Sequence, residues 1–407
     1  MVTLPLGEST IEVSLSDCSV TVATPPGGDA VDPEQAASDA MADTDGPALS
    51  ARVDPEDSVA IVVTDVTRAT PDDVLLRAMM DDLDEAGLDR EQVTVVVGLG
   101  LHRPLTDAEI EDTVGEFAPL AINHDPDATV TVGEVDGVDI GMHEAVAEAD
   151  RVLSTGMVEP HQYAGFSGGA KTAVVGAGGE SQIAHTHGPA LLGEDGVRLG
   201  RIRGNPFREF LDRAGDVVGV DFCLNVTHGP SGILDAAAGD PRAVVSGLAE
   251  RAKTARSVEL ENTYDAVLAG VGAPKDANLY QTTRAATYVA LGDYDPLRDG
   301  GRLVLPATLP EGAGEGTGEE RFHDWLSNAT DADSLYREMA GGYRPGAQRA
   351  FVVARVLRAY DIWVTNSDHP AVVDDCLMHA ANEPSEAIDS GSDVLVVPDA
   401  LNTLLVG

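Results

Sequence analysis

Apolar residues come in short dense runs along this chain, and most of the runs end in a polar cluster. Residues 59–63 read VAIVV and give way to TDVTRATP, and residues 93–97 read VTVVV and give way to GLGLHRPLT. Unbroken runs of this length are typical of strands buried on both faces. Between them DDVLLRAMMDDLDEAGL (72–88) repeats its apolar positions at helical spacing, with Gly87 as the stop, and DAEIEDTVG (107–115) is a further helical stretch. ADRVLSTGMVEPH (149–161) continues the pattern. A second series starts at YDAVLAGVG (264–272) and runs through GGRLVLPAT, FVVARVLRAYDIWVTNS and DVLVVPDA. This alternation predicts an α/β protein of two α/β domains with mainly parallel sheets and an active-site cleft between them, because loops at the carboxyl ends of parallel strands gather the ligand site.

RSVELENTY (256–264) separates the two series. The expected domains are 1–260, carrying the histidine-bearing polar clusters, and 261–395, with 396–407 as a tail that packs back on the first domain. The opening MVTLPLGESTIEVSL alternates like a strand, residues 25–57 form a polar interval with room for a short helix, and LPEGAGEGTGEERF (309–322) reads as a mobile surface loop.

Composition fits this picture: 407 residues exceed what one core usually serves, and 43% hydrophobic with 23% charged residues is ordinary for a globular chain. The charge is not ordinary. A net charge of -43 gives no attraction for nucleic acid or an anionic membrane surface, so neither is expected as a partner. Only Lys171, Lys253 and Lys275 are lysines, against 26 basic residues in all, and the acids are spread along the whole chain. We read this as adaptation to a salt-rich cytoplasm, where counterions screen the carboxylates. Cys18, Cys223 and Cys376 are far apart and give neither a disulfide framework nor a zinc knuckle. With no basic leader and no apolar stretch of 18 residues, a soluble cytoplasmic protein is expected.

Three polar clusters follow apolar strands: TDVTRATP, GLHRPLT and EPHQYAGFSGGAK. Together they offer Asp65, Arg68, His102, Arg103, His161 and Lys171. An imidazole titrates near neutrality and suits proton transfer, and an arginine fork suits a carboxylate. Duller roles compete: Asp65 and Thr67 as caps of the next helix, His102 as a surface histidine, and His124, His143, His323 and His379 as structural or solvent-exposed groups. GFSGGAKT invites comparison with a phosphate-binding loop, but Ala170 stands where GxxxxGK[ST] needs its last glycine. Small residues before a helix can still offer N–H groups to an anion. His185 and His187 in HTHG point in different directions if helical, so the pair is not expected to share one metal.

Taken together, DVTRATP (65–71), GLHRPLT (100–106), HQYAGFSGGAK (161–171), HTHG (185–188), GNPFREFL (204–211), DFCLNV (221–226) and LYQTTRAA (279–286) resemble the nickel-dependent lactate racemase family and its 2-hydroxyacid racemase and epimerase relatives. The resemblance implies an isomerase with a nickel pincer nucleotide, a pyridinium-3,5-bisthiocarboxylic acid mononucleotide that holds nickel through sulfur, carbon and sulfur. It implies that Lys171 joins this cofactor as a thioamide and that His187, 16 positions on, is the protein ligand to nickel. Asp65, Ser167, Gly168 and Gly169 complete the implied cofactor-binding set. Separate cofactor biosynthesis and maturation proteins are implied as partners.

The implied reaction inverts the alpha carbon of a small 2-hydroxy acid. His102 or His161 deprotonates the hydroxyl while hydride passes to the cofactor, and after the ketone reorients the hydride returns to its other face. Arg68 binds the carboxylate, with Tyr280, Gln281 and Arg284 from the second domain. Arg284 departs from the family, where lysine is typical, so a fork replaces a point charge. Two other readings stand beside this one: a phosphoryl-transfer enzyme using GFSGGAKT, and a noncatalytic ligand-binding homologue. Lysine scarcity favours the racemase, because arginine cannot supply a nucleophilic amine where one must be acylated.

Overall fold

The computed structural model describes all 407 residues and divides into two compact units that interleave in sequence. One comprises 27–186 and 201–255, the other 1–26, 187–200 and 256–407. The division near 255 agrees with the break at RSVELENTY, but contiguous domains 1–260 and 261–395 do not describe the chain. The first 26 residues and the short excursion 187–200 belong with the C-terminal residues. Backbone pairing is the reason: Ser19–Val22 lies parallel to Asp393–Val397. The tail is also part of that unit, since Leu404–Val406 pairs with Ser257–Glu259.

The unit built around residues 27–186 holds a six-stranded sheet in the order Gly232–Gly239, Val220–Gly229, Arg151–Met157, Val59–Val63, Val93–Val97, Ala121–Asn123. All neighbours are parallel except the first pair. Val59–Val63 is buried at every position, as its unbroken apolar run requires. Helix Asp72–Glu85 places Leu75, Leu76, Met79 and Leu83 against this sheet, in one core with Ile61, Val95 and Leu153. It ends at Ala86, and Gly87 follows with φ of 91°, the left-handed geometry a helix stop uses. The polar interval 25–57 carries helix Pro33–Ala42, capped by the Asp32 side chain.

The other unit has its own six-stranded, all-parallel sheet: His379–Ala381, Asp361–Thr365, Leu297–Pro306, Tyr264–Ala269, Asp393–Val397, Ser19–Val22. The N-terminal alternation forms a hairpin, Val2–Leu6 with Ser9–Val13, whose Leu4 and Val13 join Leu268, Val304 and Val396 in the core. Segment 309–322 is more ordered than its glycines suggest. Helix Thr317–Ser327 claims its second half, burying Phe322, and Gly312 O accepts from Leu279 N at 2.9 Å. No helix in the chain is long and apolar enough to cross a membrane.

Candidate active site

Two central strands of the first sheet end side by side, and their exit loops bring Asp65 and His102 together. His102 Nδ1 lies 2.6 Å from Asp65 Oδ2, while Asp65 Oδ1 accepts from the Thr67 hydroxyl and backbone N–H. Burial alone would raise the Asp65 carboxyl, but the bonds from His102 and Thr67 outweigh it and hold the group below the usual carboxylate value. The carboxylate therefore fixes the proton of a neutral His102 on Nδ1 and leaves Nε2 as the acceptor. His102 is 62% exposed at its side chain while Asp65 is 7% exposed, so the imidazole is presented from a buried support. Asp65 and Thr67 do not cap the next helix, whose N-cap is Pro71.

The His102 loop is pressed against the helix that begins at Lys171. Gly100 N donates to Gly176 O at 2.8 Å, and a Cβ on Gly98 would meet Gly176 Cα at 3.1 Å and Val63 O at 2.9 Å. Only glycine permits that approach. Lys171 is half-buried at the first position of the six-residue helix Lys171–Gly176. Its amine is pushed down to about 7, chiefly by burial and then by the charges of Arg68 and Arg208, against the opposing pull of Glu159 and Asp65. A lysine in this state is partly neutral, hence nucleophilic, at neutral pH.

Arg68 forms an ion pair with Glu159, which stands at the exit of strand Arg151–Met157. His161 follows in a two-residue ladder, Pro160–His161 against Gly165–Phe166. Its Nδ1 accepts from Ala164 N at 3.1 Å and Tyr163 N at 3.3 Å, and its ring packs against Tyr163 and Phe207. Ser167 Oγ accepts from Glu159 N at 3.0 Å and donates to Met157 O at 2.6 Å. Gly168 and Gly169 have φ of 79° and 62° and pack without a gap: added Cβ atoms would meet Asn225 Oδ1 and Val245 Cγ2, each at 2.7 Å. Phe166 is fully buried, as core packing predicts.

This geometry weakens the phosphate-loop reading. Gly169 N already donates to Asn225 Oδ1 at 2.7 Å and Ser167 N to Glu159 O at 2.9 Å, so two of the amides such a loop would turn toward an anion are engaged within the protein.

The remaining expected residues lie in the other unit. Tyr280, Gln281 and Arg284 share helix Leu279–Ala290, capped by the Asn278 side chain, and Arg349 stacks over the Tyr280 ring at 4.9 Å. His187 follows helix Glu180–Thr186, and its carbonyl accepts from Tyr343 Oη at 2.7 Å. His185 stays in the first unit, its ring 4.7 Å from Phe210. Arg103 pairs with Glu109 at 2.6 Å. Of the histidines read as structural or exposed, His124 is buried with Nε2 3.0 Å from Gly178 O.

Sequence reasoning gave no role to Asp72, Glu159, Arg208 or Asn225. Asp72 is fully buried and accepts from Thr64 Oγ1 at 2.6 Å and from Thr155 Oγ1, tying the exit of Val59–Val63 to strand Arg151–Met157. Burial pushes its carboxyl up to about 7, against the pull of those two hydroxyls. A carboxylate after proline at a helix start looks like an ordinary first-turn acid, so only its burial reveals it. Arg208 and Asn225 sit in GNPFREFL and DFCLNV, segments already noticed as wholes.

The lactate racemase N-terminal domain model matches residues 6–200. Lactate racemase of Lactiplantibacillus plantarum is 25% identical, the match covering 86% of this chain and 85% of that protein. The lactate racemase of Thermoanaerobacterium thermosaccharolyticum is 24% identical, with 86% and 84% covered. The structure of the latter organism's lactate racemase apoprotein superposes with a TM-score of 0.87 over the full length of both chains, at 21% identity. Residues 6–200 match the N-terminal domain of lactate racemases, and the chain is similar to lactate racemases over most of its length. A crystal structure of a Thermotoga maritima protein shares the family fold more loosely, with a TM-score of 0.63 at 15% identity, covering 90% of this chain and 96% of that one.

Proposed function

We propose that this chain is a racemase or epimerase that inverts the alpha carbon of a small 2-hydroxy acid with a nickel pincer nucleotide attached to Lys171. The observation that carries the reading is the Lys171 amine, pushed down to about 7 beside the Asp65 and His102 pair, in a chain with only three lysines. The relatives that span most of the chain are lactate racemases, and they support the same class of reaction.

The residues fit such a cofactor. A neutral amine is what acylation to a thioamide requires. No group of three or more His, Cys, Asp or Glu side chains is arranged to hold a metal, which suits an ion that draws most of its ligands from an organic partner and one, His187, from the protein. When bound, the group would supply a hydride acceptor that can also return the hydride. The chain's own residues do the rest. Arg68 binds the substrate carboxylate, with Tyr280, Gln281 and Arg284 as the further substrate-binding residues. His102, with Asp65 holding its Nδ1 proton, takes the hydroxyl proton at Nε2 and gives it back. His161 is the second proton-handling residue for the opposite enantiomer. Asp65, Ser167, Gly168 and Gly169 shape the cofactor-binding loops, and dedicated maturation proteins deliver the cofactor.

Intact mass after co-expression with the cofactor pathway tests the attachment: Lys171→Ala should lose the added mass, and its retention would refute the assignment. Full racemisation by a His102→Ala, His161→Ala double variant would overturn the proton-handling roles.

A further inference from the structure

Arg208 is among the largest fully buried side chains of the protein, 2% exposed, on the buried face of helix Pro206–Val218. A buried guanidinium is costly to desolvate and persists only where acceptors surround it. Here the acceptors are the loop before Lys171. Arg208 Nη2 donates to Phe166 O and to Ser167 O at 3.4 Å, and Nη1 donates to Gly168 O at 3.4 Å and to Asp212 Oδ1 at 3.5 Å. Three consecutive carbonyls of the segment that turns into the lysine helix thus converge on one side chain. Asn225 holds the same turn from its other end through Gly169 N. Such a brace could have been built from neutral amide donors, as Asn225 illustrates. The use of a permanent cation, bonded to the carbonyl of a residue three positions before Lys171, has an electrostatic consequence that a neutral donor would not have.

We propose that Arg208 is a positioning residue for Lys171, bracing the loop that presents the lysine and keeping a fixed positive charge behind its amine. The inference deepens the reading of Lys171 as the attachment residue and rests on it for its biological meaning. The charged groups that act on the amine are Arg68 and Arg208, which disfavour its protonation, and Glu159 and Asp65, which favour it. Arg68 is partly solvent-exposed and already paired with Glu159, so its charge is partly offset. Arg208 is the buried cation of the set, with only the more distant Asp212 carboxylate against it. Removing the Arg208 charge makes Lys171 easier to protonate, and removing the Asp212 carboxylate, which offsets the Arg208 charge, makes it harder.

The test uses the full chain made without the cofactor pathway, so its outcome does not depend on racemisation. Trace acetic anhydride acylates neutral amines, and peptide mass spectrometry of Lys171 labelling across pH gives the midpoint at which its amine loses its proton. Arg208→Gln should raise that midpoint by about one pH unit or more, Arg208→Lys should leave it near the wild-type position, and Asp212→Asn should lower it. A cooperative thermal melt verifies that each variant is folded, and if Arg208→Gln does not fold, Asp212→Asn alone decides. A midpoint unmoved in folded Arg208→Gln, or unmoved or raised in Asp212→Asn, would overturn the proposal. If these shifts appear while co-expressed wild type carries no added mass at Lys171, the positioning role stands and the attachment reading falls.

Discussion

Asp65 and Asp276 each follow a central parallel strand, one in each unit, and both are almost excluded from solvent. Their partners differ in kind. Asp276 Oδ2 accepts from Gly7 N at 2.6 Å and Thr308 Oγ1 at 3.3 Å, and its backbone carbonyl accepts from Leu309 N, so it binds three segments of its unit together. Asp65 closes its own loop through Thr67 but gives its second oxygen to an exposed imidazole. A carboxylate bonded to backbone stabilises a fold, whereas one bonded to an exposed histidine sets a tautomer and can serve proton transfer. Burial does not separate the two residues, but the chemistry of the partner does.

The largest effect should come from Lys171→Arg, which keeps a cation but has no amine to acylate. Added cofactor mass should vanish and racemisation should fall to background; turnover surviving in this variant would break the link between site and lysine. Substituting the two buried carboxylates in turn should give the next largest effects. Asp65→Asn should cost about 10²- to 10⁴-fold in turnover with little change in melting temperature. Asp276→Asn should instead cost about 1–3 kcal/mol of stability and leave the turnover of the folded fraction nearly unchanged. Swapped outcomes would invert the roles of the two carboxylates.

Asp72 is a further buried acid in the same unit as Asp65. Its carboxyl loses a proton near 3.8 when unfolded but near 7 when folded, so between these values the folded state holds the extra proton. This group therefore makes stability fall as pH rises from about 4 to about 7, by at most about 4 kcal/mol, with no further change above. Denaturant unfolding of Asp72→Asn should show that slope flattened, and an unchanged slope would remove the buried-acid account. The smallest effect per site is the surface charge. Raising KCl from about 0.1 M to about 3 M should lift the melting temperature by screening carboxylates along the whole chain. A melting temperature that falls would contradict the reading of the acidic composition.

Much of this architecture was legible because buried parallel strands announce themselves as unbroken apolar runs. VAIVV and VTVVV located the two strands whose exit loops bring Asp65 and His102 together. The interleaving of the units was not legible. Ser19–Val22 is exposed at all four positions and pairs with a strand more than 370 residues away, so its short polar alternation carries no sign of its partner. The roles of Arg208 and Glu159 were hidden for a related reason. An arginine on an amphipathic helix and a glutamate in a loop are ordinary surface residues until the fold shows one buried under three carbonyls and the other on Arg68.

Inversion of the alpha carbon by hydride removal and return leaves a stereochemical and isotopic record. Cofactor-loaded enzyme is incubated in high-salt D₂O with a single enantiomer of lactate, and the products are separated by chiral chromatography and weighed. Hydride removal and return predicts that both enantiomers appear and that neither carries solvent deuterium at the alpha carbon. A single unchanged enantiomer, repeated across a panel of enantiopure 2-hydroxy acids, would contradict the racemase reading, and deuterium at the alpha carbon would contradict hydride transfer.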